Sequence, residues 1–328
     1  MRVRVTGGAG FIGGHVVDRL IAAGHEVLVL DPIAPHRPDA THREIDITDL
    51  ESTVEATAGC DALFHLAAVS NVNDVYDAPV DAVRSNVLGT THIWEAARRN
   101  DIGRTVLAST VWVYSGATGD EPLTEDSPFH LPSSGHLYTS SKLASELVVH
   151  SYSELYGVPF TILRYGIPFG PRMRDALVIP MFVRKALAGE TITINGDGLQ
   201  FRNYVYVEDL ADAHVRCLAD QGKDQTFNLE GSEPISVRRI TESIAEILGP
   251  IDVEFLEARP GDFRGREVSA AKAAELLGWR ATTIFDEGCA ATSTGTARAA
   301  DPLRPARRLR PAGPRGSGPR RDRRGTLD

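Results

Sequence analysis

Cysteine is scarce in this chain of 328 residues, and the three that occur, Cys60, Cys217 and Cys289, lie far apart. An odd number of widely spaced cysteines matches neither a disulfide framework nor a CxxC metal or redox motif. The ten histidines likewise contain no HExxH spacing. We therefore expect reduced, buried cysteines and no metal site, and we interpret His65, which ends an apolar segment, as a hydrogen-bonded core residue.

Long apolar runs are also missing. No segment approaches the ~18 consecutive apolar residues of a membrane-spanning helix, and a strand-like segment, with no signal peptide before it, begins the chain. The composition is otherwise ordinary for a globular protein, with 42% hydrophobic and 24% charged residues. These features predict a cytoplasmic protein without a membrane partner.

Basic charge is concentrated in one terminal segment. Residues 298–328 contain ten Arg and three Asp but no Lys and no aromatic residue, whereas the whole chain has a net charge of −9. The acidic body argues against a nucleic-acid partner. The Arg- and Pro-rich tail has the composition of a disordered segment. Three interpretations of it stay open: a dispensable extension, which we favour, an arm for anionic surfaces, or an altered end of the reading frame.

A glycine-rich turn follows the first strand-like segment. Gly7, Gly10 and Gly13 are spaced GxxGxxG, and a helical pattern comes directly after them. Such a turn lets a pyrophosphate approach the backbone at a helix N-terminus. The next strand ends at Asp31, whose carboxylate would accept hydrogen bonds from the adenosine ribose and repel a 2′-phosphate. The pattern predicts an NAD site, with NAD favoured over NADP.

Apolar segments alternate with helical patterns along the first half of the chain. The predicted strands cover residues 2–6, 26–30, 61–66, 104–109 and 159–164. This alternation predicts an α/β fold with a Rossmann-type, doubly wound parallel sheet, in which ligands bind at the carboxyl ends of the strands.

After Arg164 the pattern becomes shorter and richer in Pro and Gly. We expect helices over 178–188, 208–219, 236–248 and 270–277, and short strands near 192, 204, 226 and 253. The predicted domains are an NAD-binding Rossmann domain over 1–165, joined by parts of 203–230, a smaller mixed α/β substrate-binding lobe over 166–297, and a disordered tail over 298–328.

Tyr138 and Lys142 are four positions apart in a segment that has the pattern of a helix start. Residues at this spacing lie one turn apart on one helix face, so an ammonium would sit beside a phenol. A neighbouring cation favours the phenolate and lowers the pKa of the phenol. The pair predicts a base, provided that other site residues accompany it.

Together these motifs resemble the extended short-chain dehydrogenase/reductase family, in its NAD-dependent nucleotide-sugar epimerase and dehydratase branch. The matching residues run in order from Thr6 to Trp279. They are 6–13 (TGGAGFIG), Asp31, 46–47, 65–68, 86–90, 109–110, 113–114, Tyr138 with Lys142, Arg164, 170–171, 196–198, Arg202, 204–209 and 259–262.

The resemblance implies a role for each matching position. The implied cofactor residues are Gly7, Gly10, Phe11, Ile12, Gly13, Asp31, Asp46, Ile47, Leu66, Ala67, Ala68, Asn86, Ser109, Tyr138, Lys142 and Tyr165. Lys142 would bind the nicotinamide ribose and lower the pKa of Tyr138, which would take a proton from a sugar hydroxyl that Thr110 also binds.

The implied substrate is a nucleotide-diphosphate sugar. Its predicted contacts are Thr110, Arg172, Arg174, Arg202, Arg259 and Asp262, where Arg172 and Arg174 would meet either a diphosphate or a uronate carboxylate. We also expect a homodimer.

Two departures from the family pattern narrow the reaction. Dehydratases of this branch carry Asp-Glu directly after the Thr, whereas this chain has Val111 and Trp112. Without that acid pair dehydration lacks its general acid and base, and Trp112 also counts against the decarboxylases, which typically keep a Glu there. We therefore predict epimerisation, most commonly at C4, through a transient 4-keto sugar. Ile167 stands where the family often has a substrate-binding Asn, so the sugar contacts stay open.

Two rival functions come from other classes. A nucleotide-sugar 4-ketoreductase or dehydrogenase would consume its cofactor stoichiometrically, and Asp31 with tightly held NAD favours the epimerase over it. A dinucleotide-sensing protein would share the glycine turn but would not need Tyr138, Lys142 and Thr110 together.

Overall fold

The computed structural model describes residues 1–117, 121–131, 136–257 and 266–300. Its strands are β1 (Arg2–Thr6), β2 (Glu26–Leu30), β3 (Thr41–Arg43), β4 (Ala62–His65), β5 (Arg104–Thr110), β6 (Phe160–Tyr165), β7 (Ile167–Phe169), β8 (Ile192–Asn195), β9 (Phe201–Tyr206), β10 (Gln225–Leu229), β11 (Pro234–Ser236) and β12 (Val253–Leu256).

Helices lie between these strands. They are α1 (Phe11–Ala22), α2 (Leu50–Thr57), α3 (Val72–Asp77), α4 (Pro79–Val83), α5 (Gly89–Arg99), α6 (Leu137–Tyr156), α7 (Val178–Ala188), α8 (Val207–Arg216), α9 (Val237–Leu248), α10 (Ala271–Leu277) and α11 (Phe285–Ala300). A π-helical turn (Arg84–Leu88) joins α4 to α5, and 3₁₀ turns cover Val111–Tyr114 and Asp220–Gly222.

Seven strands form one parallel sheet in the order β10-β6-β5-β4-β1-β2-β3. β1 has β2 on one side and β4 on the other, so the strand order reverses next to the glycine turn. Ligands of doubly wound sheets bind at such a reversal, outside the carboxyl ends of the strands. The predicted Rossmann-type sheet is confirmed, and the short strand predicted near 226 is its edge strand β10.

The central strands are buried on both faces. Every residue of β4, β5 and β6 is buried, as expected where helices cover a parallel sheet from both sides. α1 and α8 cover one face with residues such as Leu20 and Leu210. α5 and α6 cover the other face with residues such as Trp94 and Val149. The two covered faces leave the carboxyl edge of the sheet as the open side.

The smaller lobe is built from α7, α9, α11 and two short sheets. β9 lies between β7 and β11, and β8 pairs with β12. Its core contains Phe182 and Ile240, and the rings of Phe169 and Phe285 stack with centroids 5.1 Å apart. Because β6 ends at residue 165 and β7 begins at 167, Gly166 is the single residue between the large sheet and this lobe at that crossing, and residues 230–233 form a second crossing from β10 to β11.

Helix α11 was not predicted from the sequence. The helices predicted over 178–188, 208–219, 236–248 and 270–277 correspond to α7, α8, α9 and α10, but α11 follows them and runs to Ala300. Its alanines favour a helix whereas its Gly, Ser and Thr residues do not, so the helix depends on packing, and Cys289 and Thr292 are buried. The first three residues of the predicted tail thus belong to a helix, and residues 301–328 lie outside the described residues.

Two smaller predictions are confirmed. Cys60, Cys217 and Cys289 are buried and unbridged. His65 is buried, with Nδ1 2.9 Å from Thr6 Oγ1 and Nε2 3.1 Å from Thr90 Oγ1, as a core histidine should be.

Within the described ranges, no helix combines the length and the apolar character that crossing a bilayer requires.

Candidate active site

The glycine turn between β1 and α1 leaves no room for side chains. Gly7 has a φ of +71°, and a Cβ on it would lie 2.6 Å from the backbone N of Ala67. A Cβ on Gly13 would lie 2.1 Å from the carbonyl O of Gly7. α1 begins at Phe11, and its N-cap residue Gly10 has no side chain to cap the first N–H groups. These N–H groups suit a pyrophosphate.

The carboxylate of Asp31 is held beside this turn. Its Oδ2 accepts a hydrogen bond from the backbone N of Ala9 at 3.1 Å, and its Oδ1 accepts one from the backbone N of Ile33 at 2.9 Å. The backbone fixes the carboxylate, and each oxygen keeps a lone pair for a ribose hydroxyl. The turn and Asp31 together fit the adenosine half of NAD.

Partly exposed apolar residues follow the buried strands at the carboxyl edge. The backbone N–H groups of Leu66 and Ala67 donate to the carbonyl and the hydroxyl of Thr6, at 3.1 and 3.3 Å. Ile47 is buried and packs on Gly89, whereas Asp46 is exposed. Phe11, Ile12, Leu66, Ala67 and Ala68 are all partly accessible. Accessible apolar groups at this edge are suited to line a cofactor channel.

Asn86, a predicted cofactor residue, is bonded internally. Its Oδ1 accepts from the backbone N of Val69 at 2.8 Å, and its Nδ2 donates to Val69 O at 3.0 Å and to Ser141 Oγ at 2.9 Å. These bonds tie the loop after β4 to α6. We interpret Asn86 as a positioning residue in place of the direct cofactor contact that was expected.

Tyr138, Lys142 and Thr110 meet where β5 ends and α6 begins. Tyr138 lies in the first turn of α6, and the Nζ of Lys142, one turn later, donates to the carbonyl of Ala108 on β5 at 2.9 Å. Thr110 is the last residue of β5, and its Oγ1 accepts from the backbone N of Trp112 at 3.2 Å. The hydroxyl proton of Thr110 is therefore available for a ligand oxygen.

Burial shifts the pKa of both titratable groups away from their charged forms. Burial raises the pKa of Tyr138 to about 12, against a smaller lowering effect from the Arg174 cation. Burial lowers the pKa of Lys142 to about 8, and Glu146 opposes that shift. Burial and Arg174 account for the shift of the Tyr138 pKa here, and the expected effect of Lys142 on that pKa stays a prediction. The Lys142 ammonium is directed at Ala108, and Arg174 is the cation that acts on the phenol.

A buried ion pair that was not predicted supports this end of β5. Arg164 Nη2 lies 2.7 Å from Glu146 Oε2, and the two side chains are 4% and 2% exposed. Glu146 also accepts a hydrogen bond from the hydroxyl of Ser109. The Ser109 hydroxyl thus faces α6, whereas a cofactor contact was expected. Glu146 follows Lys142 by one helical turn, and that spacing was a signal for an inward-facing acid.

Tyr165, also a predicted cofactor residue, has its hydroxyl turned into the core. Its Oη lies 2.6 Å from His214 Nε2, and both residues are buried. Burial lowers the pKa of His214 to about 4, so the imidazole is neutral at physiological pH. The hydroxyl proton of Tyr165 is therefore bound by His214 within the core.

Arg172 contacts α1, away from Tyr138. Its Nη2 lies 2.8 Å from Asp18 Oδ2, and its Nε lies 3.2 Å from His15 Nε2. His36, which comes after Asp31 in the chain, also contacts the Arg172 guanidinium. Arg172 therefore joins the smaller lobe to the NAD-binding side, which differs from the substrate contact that was expected.

Arg174 is the predicted substrate arginine that approaches Tyr138. Its Nη2 lies 3.3 Å from Ser70 Oγ, and its charge lowers the pKa of Tyr138. Arg202 lies on β9 and donates to the carbonyl of Phe201 at 2.6 Å. Arg259 and Asp262 lie outside the described residues.

Trp112, at the position where dehydratases of the resembled branch carry an acid, lies next to His136 at the start of α6. Its ring centroid lies 5.2 Å from that of His136, which in turn lies 6.1 Å from the ring of Tyr138. Trp112 is 37% exposed. A large apolar group therefore occupies this part of the cleft.

Comparison with known proteins identifies the family that the sequence motifs resemble. A family profile described as "NAD dependent epimerase/dehydratase family" matches residues 3–229. A UDP-glucose 4-epimerase of Mycolicibacterium smegmatis is 36% identical over 308 residues, which cover 89% of this chain and 97% of that protein.

Two solved structures share the fold. UDP-glucose 4-epimerase of Thermus thermophilus in complex with NAD has a TM-score of 0.81 and 32% identity, and the match covers 91% of this chain and 100% of that one. dTDP-glucose 4,6-dehydratase of Streptomyces venezuelae with NAD bound has a TM-score of 0.82 and 29% identity, with 91% and 97% covered. By profile, sequence and fold, this chain belongs to the NAD-dependent epimerase/dehydratase family within the extended short-chain dehydrogenases/reductases, and its cofactor is NAD.

Proposed function

We propose that the protein is a nucleotide-sugar epimerase that inverts C4 through a transient 4-keto sugar. The observation that carries the proposal is the arrangement at the end of β5, where Thr110, Tyr138 and Lys142 share one edge and Trp112 occupies the place of an acid pair. The similarity to UDP-glucose 4-epimerases supports the same choice.

The chain's own residues handle one proton of the sugar. Thr110 donates its hydroxyl proton to the reacting sugar oxygen, which fixes that oxygen near Tyr138. Tyr138 takes the hydroxyl proton as the carbon is oxidised and returns it as the carbon is reduced. Bound NAD supplies the hydride acceptor and donor. The guanidinium of Arg174 favours the phenolate that this cycle needs.

The fold alone does not separate epimerisation from dehydration, because the dehydratase structure matches as well as the epimerase structure. The side chains in the cleft distinguish the two reactions. Eliminating water from the keto sugar requires a general acid and a general base next to the tyrosine. Val111 and Trp112 offer neither.

The proposal is tested by incubating the purified protein with UDP-, dTDP-, GDP- and CDP-linked sugars without added cofactor. Products are identified by NMR, and NADH is followed by its absorbance. We expect the C4 epimer of one sugar with no net change in NADH. A requirement for stoichiometric NADH would identify a reductase, and a product that has lost water would identify a dehydratase; either result contradicts the proposal.

We also propose that two chains associate through the surface formed by α3, α4 and α6. α3 and α4 pack beside α6, and Tyr76, Val80 and Leu147 on these helices are 84%, 78% and 60% exposed. Exposed apolar side chains in one region often mark an interface. Light scattering after size exclusion should give a dimer, which L147E converts to a monomer. L199E, at another exposed leucine, should leave the dimer intact, and a monomeric parent protein would contradict the proposal.

A further inference from the structure

Glu230, the residue directly after β10, has a carboxyl oxygen without a partner. The side chain is 6% exposed, and no hydrogen-bond donor reaches its Oε2 within the described part of the chain. Burial raises the pKa of this carboxyl well above its usual range. An unsatisfied buried polar group costs about 1–3 kcal/mol, and native proteins retain few of them. A buried oxygen that is kept unsatisfied at this cost suggests that a ligand supplies the missing hydrogen bond.

The carboxyl occupies the junction between the large sheet and the smaller lobe. A Cβ on Gly166 would lie 2.1 Å from Glu230 Oε2, so the missing side chain at 166 leaves the space that the carboxyl fills. Leu229 and Thr110 both pair in register with Tyr165. Glu230 therefore lies beyond the same strand edge as Thr110 and two strands away, about 10 Å at the usual strand spacing.

A second unpartnered oxygen belongs to Asn203, a residue whose backbone borders the same junction. Asn203 Oδ1, on β9, is buried and has no hydrogen-bond partner among the described residues. The carbonyl O of Asn203 would lie 3.0 Å from the same Cβ position on Gly166 that Glu230 approaches. Two residues at this junction thus each have a side-chain oxygen without a partner among the described residues. The next residue, Ile167, is aliphatic at the position where a polar substrate contact was expected.

We propose that Glu230 determines which sugar is bound, because its free carboxyl oxygen accepts a hydrogen bond from a hydroxyl or N–H group of the nucleotide sugar. The inference rests on the proposed function, since it uses the same cleft and substrate class. A site built around an unpaired acceptor strongly disfavours ligands that lack the matching donor. Burial disfavours the charged form of Glu230; a donor from a neutral sugar stabilises that form, whereas the carboxylate of a uronate disfavours it further, so the site should prefer neutral sugars.

The test measures binding without turnover. In the Y138F background, calorimetry gives the affinity for UDP- and dTDP-linked glucose, N-acetylglucosamine and glucuronic acid. We expect E230Q to lower the ratio of neutral-sugar affinity to uronate affinity at least tenfold, because the amide keeps the size and adds a donor for the uronate. G166A should lower the ratio in the same direction, since its Cβ displaces the carboxyl. E233Q, at an exposed carboxylate nearby, is the matched control.

The outcomes separate the two proposals. An unchanged ratio in both E230Q and G166A overturns the inference, even if the parent protein is an epimerase. A changed ratio in a protein that does not epimerise any sugar supports the inference and overturns the proposed function. A preference for N-acetylglucosamine that E230Q removes identifies an N–H donor, and one for glucose identifies a hydroxyl. Failure to bind any of these sugars overturns both proposals.

Thermal melting provides a readout that a purely structural role would not produce. If Glu230 is held for substrate, removing its unpaired carboxyl relieves a cost, so the Tm of E230Q without ligand should equal or exceed that of the parent protein. A lower Tm together with an unchanged sugar ratio would show that Glu230 stabilises the fold only.

Discussion

The cleft has a reaction side, formed by the end of β5 and the start of α6, and a substrate side, formed by β7, β9 and the end of β10. On the reaction side, buried bonds fix Lys142 to Ala108 and Glu146 to Arg164. On the substrate side, Arg174 reaches a serine at the cleft surface, and Glu230 has an oxygen that no described residue satisfies. Buried charged groups with partners hold the reaction side in place, whereas the substrate side has a buried carboxyl oxygen with bonding capacity left for a ligand.

This difference explains how one fold serves several reactions. Exchanging a buried charged group on the reaction side would leave its partner unpaired in the core, which is costly. Exchanging a residue on the substrate side disturbs few internal bonds. An epimerase and a dehydratase can therefore both share a TM-score above 0.8 with this chain, because the fold does not set the reaction.

The largest expected effect is on the reaction side. Y138F removes the hydroxyl that handles the sugar proton, and general acid–base groups typically contribute 10²- to 10⁴-fold to rate. We expect kcat to fall by about that factor while NAD stays bound, as measured by NMR turnover and by the absorbance of the bound cofactor. Y156F, at the far end of the same helix, is the control and should retain full activity. Retained activity in Y138F would remove the proposed mechanism.

Glu146 tests whether the buried pair holds the reaction side together. E146Q leaves the Arg164 charge buried without its counterion, so the free energy of unfolding should fall by about 3–5 kcal/mol. Urea denaturation measures this change. D175N breaks the exposed pair with Arg184 and should cost at most about 1 kcal/mol. Equal effects of the two substitutions would contradict the distinction between a rigid reaction side and its surroundings.

Local patterns predicted the cofactor half of the molecule well. The order of strand, glycine turn, helix and acid is set by residues close in sequence, so the places of Gly7, Gly13 and Asp31 in the fold could be predicted, while their contacts with NAD stay a prediction. The same applies to the parallel sheet, whose buried strands are short continuous apolar runs.

What the sequence did not predict depends on contacts between distant elements. Glu146 and Arg164 lie on different elements, and neither residue type alone indicates burial. The resemblance to the family implied that Asn86, Ser109 and Tyr165 contact the cofactor. A matching position in the sequence does not show in which direction the polar group points. In the structure, their polar atoms bond to a loop, to α6 and to α8.

Lys142 predicts a pH dependence for the reaction side. With its pKa lowered to about 8, the ammonium is present at pH 7 and is lost as the pH rises through 8. We expect kcat/KM to fall about tenfold per pH unit above this value. Lys142's own contribution to stability rises over the same range, because an unfolded Lys keeps its proton to about 10.5. A pH profile that stays flat to pH 10 would contradict a role for the charged amine.

Substitution of Arg172 should have the smallest effect on activity, and it tests whether this residue belongs to the substrate side. The predicted substrate contact and the observed pairing with Asp18 lead to different expectations for the KM of R172A. Because the guanidinium is bonded to α1, its loss should change the KM for the nucleotide sugar less than twofold. It should lower the free energy of unfolding by about 1 kcal/mol or less, as partly exposed pairs do. R174A, next to Tyr138, should instead raise KM or lower kcat. A larger rise in KM for R172A than for R174A would contradict this expectation. It would show that Arg172 contacts the substrate, because loss of the pair with Asp18 alone lowers stability without weakening substrate binding.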